Sequence, residues 1–387
     1  MSSSTNSSNV VGTSETYLAI FPHDRVGAGM ELLSKHGGIS LTMPQFEDER
    51  QPRSINLVLP KLGVAVARLE ASRLERVLEY VGPSSDILSV KPIGNFRAPF
   101  LQVVSASTGG SWTDDQDWTW GLKAIGMAKG TGKGIKVAIL DTGFGHCLDF
   151  AGRTLISKPF DYGHSTDDVN GHGSMCTGVA CGGKDIYGRR YGIASEAEIY
   201  VAKVLSNIGV GKPGWVLSGI EWALSANCQV ISASLCIDDD TSRAEFDEIG
   251  RRALAQGTII VAAAGDNAPS SVRQPASSVD IMAIGGLNAR GEAYPKSNPS
   301  GSLSGEEVDL AAPAVAVWSV LPDDAMGKPR YAFATGTSMA VPHVAGVAAL
   351  HFENGMNAEA VRKELLKATP LPGQSKVYVG AGMLKAP

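Results

Sequence analysis

The 387-residue sequence is poor in aromatic residues (6%) and in charge (19% Asp, Glu, Lys and Arg), and it carries five cysteines. No apolar run reaches the roughly 18 residues a membrane-spanning helix requires. The longest, at 259–265 and 344–350, have the length of core elements. Net charge is -5, and no Lys/Arg cluster of the kind that tracks a phosphate backbone is present, so neither nucleic acid nor a membrane is an expected partner. Cys147, Cys176, Cys181, Cys228 and Cys236 are odd in number and sit in apolar segments, which excludes a dense disulfide framework. Residues 1–16 are rich in Ser, Thr and Asn and lack the basic start and apolar core of a secretion signal. Cytoplasmic residence is expected, or secretion with the leader missing from this sequence.

What is present is the composition of a globular protein, 43% hydrophobic with 45 glycines. Such glycine content suits an α/β protein with many tight strand–helix turns. The length allows two or three domains, or one large domain with an appendage.

Residues 1–15 are expected to be disordered. From 16 to 95 the pattern reads strand, helix, strand, helix, strand: apolar at 17–21, helical spacing at 27–36 ending on Gly37-Gly38, alternation at 55–69 with a turn near 60–63, helical spacing at 71–80, and a strand at 87–93. That is a small α+β domain. Between 96 and 118 the pattern stops, and Pro99, paired glycines, Asp114, Asp115 and Asp117 read as an exposed linker where proteolysis concentrates. From 119 to 387 apolar strands (135–140, 199–204, 230–234, 259–263, 281–284) alternate with helices (172–181, 213–226, 243–256), and two more helices (338–353, 358–368) close the chain. The expected fold class is α/β, a parallel sheet covered by helices on both faces.

Three segments carry chemistry. An apolar strand delivers Asp141, followed by Thr142-Gly143, at its C-terminal end, where functional groups of open α/β sheets collect. Asn170-Gly171-His172 places a His in the first turn of a helix, and Gly336-Thr337-Ser338 places a Ser at the start of an apolar helix. Acyl transfer needs a nucleophilic hydroxyl, a base to take its proton and an acid to orient that base. Singly, each has a plainer reading. Asp-Thr-Gly serves aspartic proteases, but no second copy exists; the His and Ser segments also suit helix caps. Cys176, Cys181 and His172 match no zinc spacing, so no metal site is expected.

Together, in this order, the segments resemble the subtilisin-like serine proteases over about 120–350. The resemblance implies a subtilisin-like catalytic domain over 119–387 and, over 16–95, a ferredoxin-like prodomain that inhibits and chaperones it. It implies a self-processing serine endopeptidase acting on polypeptides, with Asp141 orienting, His172 as base and Ser338 as nucleophile, and with no required cofactor. The helix start at Ser338 turns its backbone N–H toward the developing oxyanion, and Pro342 falls within the first turn, where a missing N–H costs little. A monomer is expected.

Three departures from the family pattern stand out. Asp266 occupies the position of an oxyanion-donating Asn, and an ionised carboxylate only accepts; either Asp266 is protonated, or Asn267 takes the role through a shifted turn, or the site runs slowly. Cys176, four residues after His172, resembles the proteinase K-like branch, although a small core hydrophobe is the plainer reading. The substrate-flanking segments are implied at Gly209-Val210-Gly211 and Ser234-Leu235-Cys236, with Ala264-Gly265 at the S1 pocket and Cys236 narrowing its mouth. Arg273 is implied near the pocket floor, where a cation favours an acidic P1 residue; the alternative is an ordinary loop residue. The processing site is expected near Asp114–Asp115. A structural Ca²⁺ is left open at Asp149 and the 182–190 turn, where Lys184, Arg189 and Arg190 leave few oxygen ligands. The competing function is a proteolytically silent, or prodomain-autoinhibited, peptide-binding module.

Overall fold

The computed structural model describes residues 15–46, 55–98, 102–104, 113–126, 129–161, 165–237, 243–303 and 305–387, with backbone only at 102–104 and 243. The N-terminal unit comprises β1 (Glu15–Ile20), α1 (Val26–Gly37), β2 (Leu57–Leu59), β3 (Val64–Leu69), α2 (Ala71–Leu78) and β4 (Ser89–Pro92). Its strands form an antiparallel sheet in the order β2-β3-β1-β4. Helix α1 stops at Gly38, whose φ of 63° is left-handed and needs no Cβ. Both faces of this sheet are covered. Tyr17, Ala19, Ala65 and Ala67 join Leu33 of α1 and Val77 of α2, while Leu18, Ile20, Val64 and Val66 enter a cluster shared with the larger domain.

Two short strands follow in the stretch expected to be a bare linker: β5 (Phe96–Arg97) and β6 (Gln102–Val104). At two and three residues they are too short to leave a periodicity to read.

The larger domain runs α3 (Trp120–Ala124), β7 (Lys136–Asp141), β8 (Leu155–Pro159), α4 (His172–Cys181), β9 (Glu198–Lys203), β10 (Val210–Gly211), α5 (Pro213–Ser225), β11 (Val230–Ala233), β12 (Cys236–Ile237), α6 (Arg243–Ala255), β13 (Ile259–Ala263), β14 (Ile281–Leu287), β15 (Leu310–Pro313), β16 (Val317–Leu321), β17 (Arg330–Thr335), α7 (Thr337–Glu353), α8 (Ala358–Leu365) and α9 (Lys376–Val379). Its central sheet has seven parallel strands, in the order β15-β14-β13-β11-β7-β9-β8. Val137 and Ile139 of β7 face a core with α4 and α7. Ala138 and Leu140 face the opposite core with α5 and α6. Burial on both faces explains why these strands read as continuous apolar runs rather than alternations. The fold is the expected α/β class, with β8 and β15 added at the sheet edges. Among the described residues no helix is long and apolar enough to cross a membrane.

Candidate active site

Asp141 ends β7, fully buried, and its Oδ1 accepts both Thr142 N–H (2.7 Å) and His172 Nδ1–H (2.7 Å). His172 is the first residue of α4. The close approach needs glycine: a Cβ on Gly173 would lie 2.3 Å from Gly143 O. Burial opposes charging the His172 ring, but the Asp141 carboxylate overrides it and lifts the pKa well above the ordinary histidine value.

Asp168 holds both partners from beneath. Its Oδ1 accepts Thr142 Oγ1–H (2.8 Å) and Gly171 N–H (2.8 Å), and its Oδ2 accepts Ser174 N–H (2.7 Å). Thr142 Oγ1 in turn accepts Gly173 N–H (2.9 Å). The residues flanking His172 and the one following Asp141 thus hang on a single carboxylate. Buried Lys203 reinforces the same loop by donating to Thr142 O, Asp167 O and Asn207 Oδ1.

Ser338 is the second residue of α7. Its Oγ and His172 Nε2 are both buried, and neither has a hydrogen-bond partner among the described residues. A nucleophile–base pair is commonly loose before substrate arrives. Pro342 lies deeper than the sequence suggested. It is the sixth residue of the helix, past the orphan N–H groups of the first turn, so the donor it lacks is the one that would close on Ser338 C=O. That carbonyl instead accepts Ser234 Oγ–H at 2.9 Å and Cys176 Sγ–H at 3.6 Å. A buried carbonyl left without any donor would cost about 1–3 kcal/mol. Cys176 also lies 3.8 Å from His172 Nδ1, and burial pushes its pKa up, keeping it a neutral thiol.

Of the two oxyanion candidates, Asp266 is the one set against this helix start. Its Oδ1 accepts Thr337 N–H at 2.8 Å, and its Oδ2 lies 2.7 Å from where a Cβ on Gly336 would be. Burial raises its pKa, partly countered by that hydrogen bond. Asn267 is exposed, with its backbone N–H tied to Asn298 Oδ1 at 2.7 Å.

The two predicted flanking segments are brought to either side of β5, in the order β10-β5-β12. Arg97 faces Val210 on one side and Cys236 on the other, Phe96 faces Gly211 and Ile237, and Ala98 N–H donates to Gly209 O at 2.9 Å. Phe96 is fully buried among Leu205, Val216, Leu235 and Ile237, edge-on to Phe246 at 6.1 Å; such burial contributes about 1.5–3 kcal/mol. Arg273 runs beside Gly265, its Cγ 3.6 Å from where a glycine Cβ would stand, and its N–H donates to Ala264 O at 3.1 Å.

The segment lying between the two predicted flanking segments is thus 96–98, while Asp114 and Asp115, where the processing site was expected, lie elsewhere. Those two carboxylates are spent on the approach to α3: Asp114 accepts Trp120 N–H (2.7 Å) and pairs with Arg189 (3.1 Å), and Asp115 accepts Trp118 N–H (2.8 Å) and pairs with Lys123 (2.9 Å). From Ala98 the chain passes 99–101 and re-emerges at β6, where Gln102 pairs with Thr335, three residues before Ser338.

The N-terminal unit is clamped beside the groove at its β2–β3 turn. Glu221 of α5 accepts Lys61 N–H (2.9 Å) and Leu62 N–H (3.0 Å). Arg252 of α6 donates to Leu62 O and Phe21 O, each at 2.6 Å.

The residues at the calcium position left open above do not fit an ion. Asp149 accepts both Tyr191 O–H (2.9 Å) and Tyr331 O–H (2.8 Å). Asp185 Oδ1 takes Tyr187 N–H and Arg189 N–H, and its Oδ2 takes Arg189 Nε–H (3.2 Å) and Trp318 Nε1–H (3.2 Å). The guanidinium of Arg189, lying 4.7 Å over the Trp318 ring, already supplies a cation there. Among the described residues, the one group of three or more ligand-type side chains close enough to hold a metal is Asp141, His172 and Cys176, and these contact one another. The five cysteines are all buried and none is in a disulfide.

Sequence reasoning missed Asp168, Ser234 Oγ, Glu221, Arg252 and the β5 pairing. Asp168 had a faint signal as an acid just ahead of a helix start; the others owe their roles to backbone groups remote in sequence.

A family model described as the subtilase family, Peptidase_S8, matches residues 132–382. Subtilisin BL from Lederbergia lenta is 33% identical over 282 residues, covering 70% of this chain and 98% of that protein. The intracellular serine protease of Paenibacillus polymyxa is 31% identical over 271 residues, 65% of this chain and 79% of that protein. Among solved structures, fervidolysin from Fervidobacterium pennivorans, a keratinolytic enzyme related to subtilisin, superposes with a TM-score of 0.73 at 20% identity. That match covers 98% of this chain, which spans 61% of fervidolysin.

Proposed function

Since this chain belongs to the subtilase family and is a subtilisin-like serine endopeptidase, we propose that Asp141, His172 and Ser338 form its catalytic triad. The observation that carries this is the Asp141–His172 hydrogen bond at 2.7 Å, which leaves His172 Nε2 unpaired while Ser338 Oγ is also unpaired at the start of α7. With Nδ1–H held by Asp141, Nε2 bears the lone pair of a base. It takes the proton of Ser338 Oγ as that oxygen attacks the peptide carbonyl, then returns it to the leaving amine. Water enters by the same route and releases the acyl group. The carbonyl oxygen, as it gains charge, meets the Ser338 backbone N–H and a protonated Asp266.

The same reading makes residues 16–95 the enzyme's own inhibitor and the chain a self-processing zymogen. Support comes from β5, which lies between the flanking segments as an added strand, and from the clamp at Glu221 and Arg252. The bond cut in self-processing falls within 99–101. Arg273 beside Gly265 supports acidic residues at P1 in other substrates.

The test is Ser338→Ala. Turnover should fall by about 10⁶-fold, and the purified chain should keep its N-terminal unit covalently attached. Reaction of the unaltered protein with a fluorophosphonate separates this reading from a silent peptide-binding module, because a silent module leaves Ser338 unlabelled.

A further inference from the structure

We propose that Ser234 is a positioning residue for the nucleophile, and that Pro342 is what makes it one. The inference rests on Ser338 being that nucleophile.

Helix α7 is buried from Thr337 through Phe352, so its backbone groups must find partners inside the protein. An uninterrupted helix would close residue 342 N–H on Ser338 C=O. Proline removes that donor. The freed carbonyl belongs to the residue whose Oγ attacks, and it points out of the helical ladder at the Ser234 hydroxyl, 2.9 Å away, with Cys176 Sγ as a longer second donor. Ser234 directly follows β11, a strand of the central sheet, and two residues later the chain enters β12, which pairs with Arg97 in the groove. One hydroxyl therefore ties the segment on which a peptide lies to the backbone of the attacking serine.

Two consequences follow for chemistry. The first turn of α7 is oriented by the sheet rather than by its own helix, so Ser338 is fixed relative to the same strand that aligns the scissile peptide. Displacement of that turn by a fraction of an ångström would act on attack geometry and not on peptide affinity, because the backbone of β12 that pairs with peptide is unchanged.

The experiment is a double-mutant cycle at Ser234 and Pro342, with rates expressed per Ser338 labelled by fluorophosphonate so that unfolded protein does not count. Ser234→Ala should lower kcat about ten- to a hundred-fold with KM nearly unchanged, and Ser234→Thr, which keeps the hydroxyl, should recover most of it. Pro342→Ala restores the helical N–H, so adding Ser234→Ala to that background should cost little. Equal losses in both backgrounds, or a Ser234→Ala loss confined to KM, would overturn the coupling and place the hydroxyl on the substrate instead. Should Pro342→Ala yield no folded protein, the rate of fluorophosphonate labelling decides, since it reports the attack step without peptide binding. Labelling of Ser234→Ala as fast as the unaltered chain refutes the inference, and slower labelling rescued by Thr supports it. A chain with Ser338 never labelled removes the premise rather than the coupling.

Discussion

Asp266 accepts the backbone N–H of Thr337, the residue immediately before Ser338, at 2.8 Å. In the proposed oxyanion role a carboxylate is useful only while it carries a proton, and burial favours that form. The protonated fraction falls as pH rises through the raised Asp266 pKa. His172 imposes the opposite requirement, since its base form appears only as pH rises through its own raised pKa. Activity should therefore fall toward acid pH, where His172 keeps its proton, and toward alkaline pH, where Asp266 loses its own. Asp266→Asn should abolish the alkaline limb and raise kcat at high pH by about 10²–10³-fold, whereas Asn267→Ala should do neither. Turnover measured across pH for both variants decides; no response to either change removes Asp266 from the oxyanion site.

On the proposed reading, self-processing is set by the strand at Phe96–Arg97. The first new N-terminus should be residue 100 or 101, as read by sequencing or intact mass of freshly made protein. A first cut after Asp114 or Asp115 would mean that the carboxylates held by Arg189 and Lys123 leave their partners, and that the groove is reloaded before cleavage.

Arg189 supplies the charge that balances Asp114 and Asp185. Removing it as Arg189→Gln strands two carboxylates that are largely withdrawn from water. Allowing for partial exposure, the cost should be about 2 kcal/mol, several degrees in unfolding temperature. The Ser338→Ala chain, used to prevent self-digestion and otherwise unchanged, should unfold at the same temperature in chelator as in calcium. A drop in chelator that disappears in Asp185→Asn would show an ion at this position after all.

The network under His172 predicts a different signature. Thr142→Val keeps shape but removes the hydroxyl shared by Asp168 and Gly173. It should lower kcat about ten-fold at constant KM, and Thr142→Ser should behave like the unaltered enzyme. Equal kcat in Thr142→Val would make the hydroxyl purely structural.

The Asp141–His172 pair has a stability consequence with a definite sign. The folded pKa of His172 lies above its unfolded value, so the pair contributes fully below about pH 6.5 and its contribution is lost as pH rises through the raised folded value. Urea unfolding of Ser338→Ala and Ser338→Ala/His172→Ala across this range should show the difference between them shrinking toward alkaline pH.

The parallel strands were legible because burial on both faces writes continuous runs such as Ile259–Ala263, and Asp141, His172 and Ser338 could be singled out because each stands near an element end within two residues of a glycine. Phe96–Arg97 was not, since its partners Val210 and Cys236 are met through backbone atoms that any residue supplies. Asp149 stayed open for a related reason. A carboxylate beside a turn suggests a metal ligand, and only the fold shows Tyr191 and Tyr331, far along the chain, donating to it. Pro342 was recognised as helical, but its effect depends on which carbonyl it releases and on Ser234 being near enough to take it.

The clamp at Glu221 and Arg252 also changes what dilution does. While the chain is intact, the β2–β3 turn and β5 are presented to α5, α6 and the groove at an effective concentration on the order of millimolar, whatever the concentration of protein. One cut within 99–101 would turn the same contacts into an ordinary bimolecular equilibrium. Specific activity of newly processed protein should then rise as the solution is diluted, and the time course of activation should depend on how crowded the preparation is.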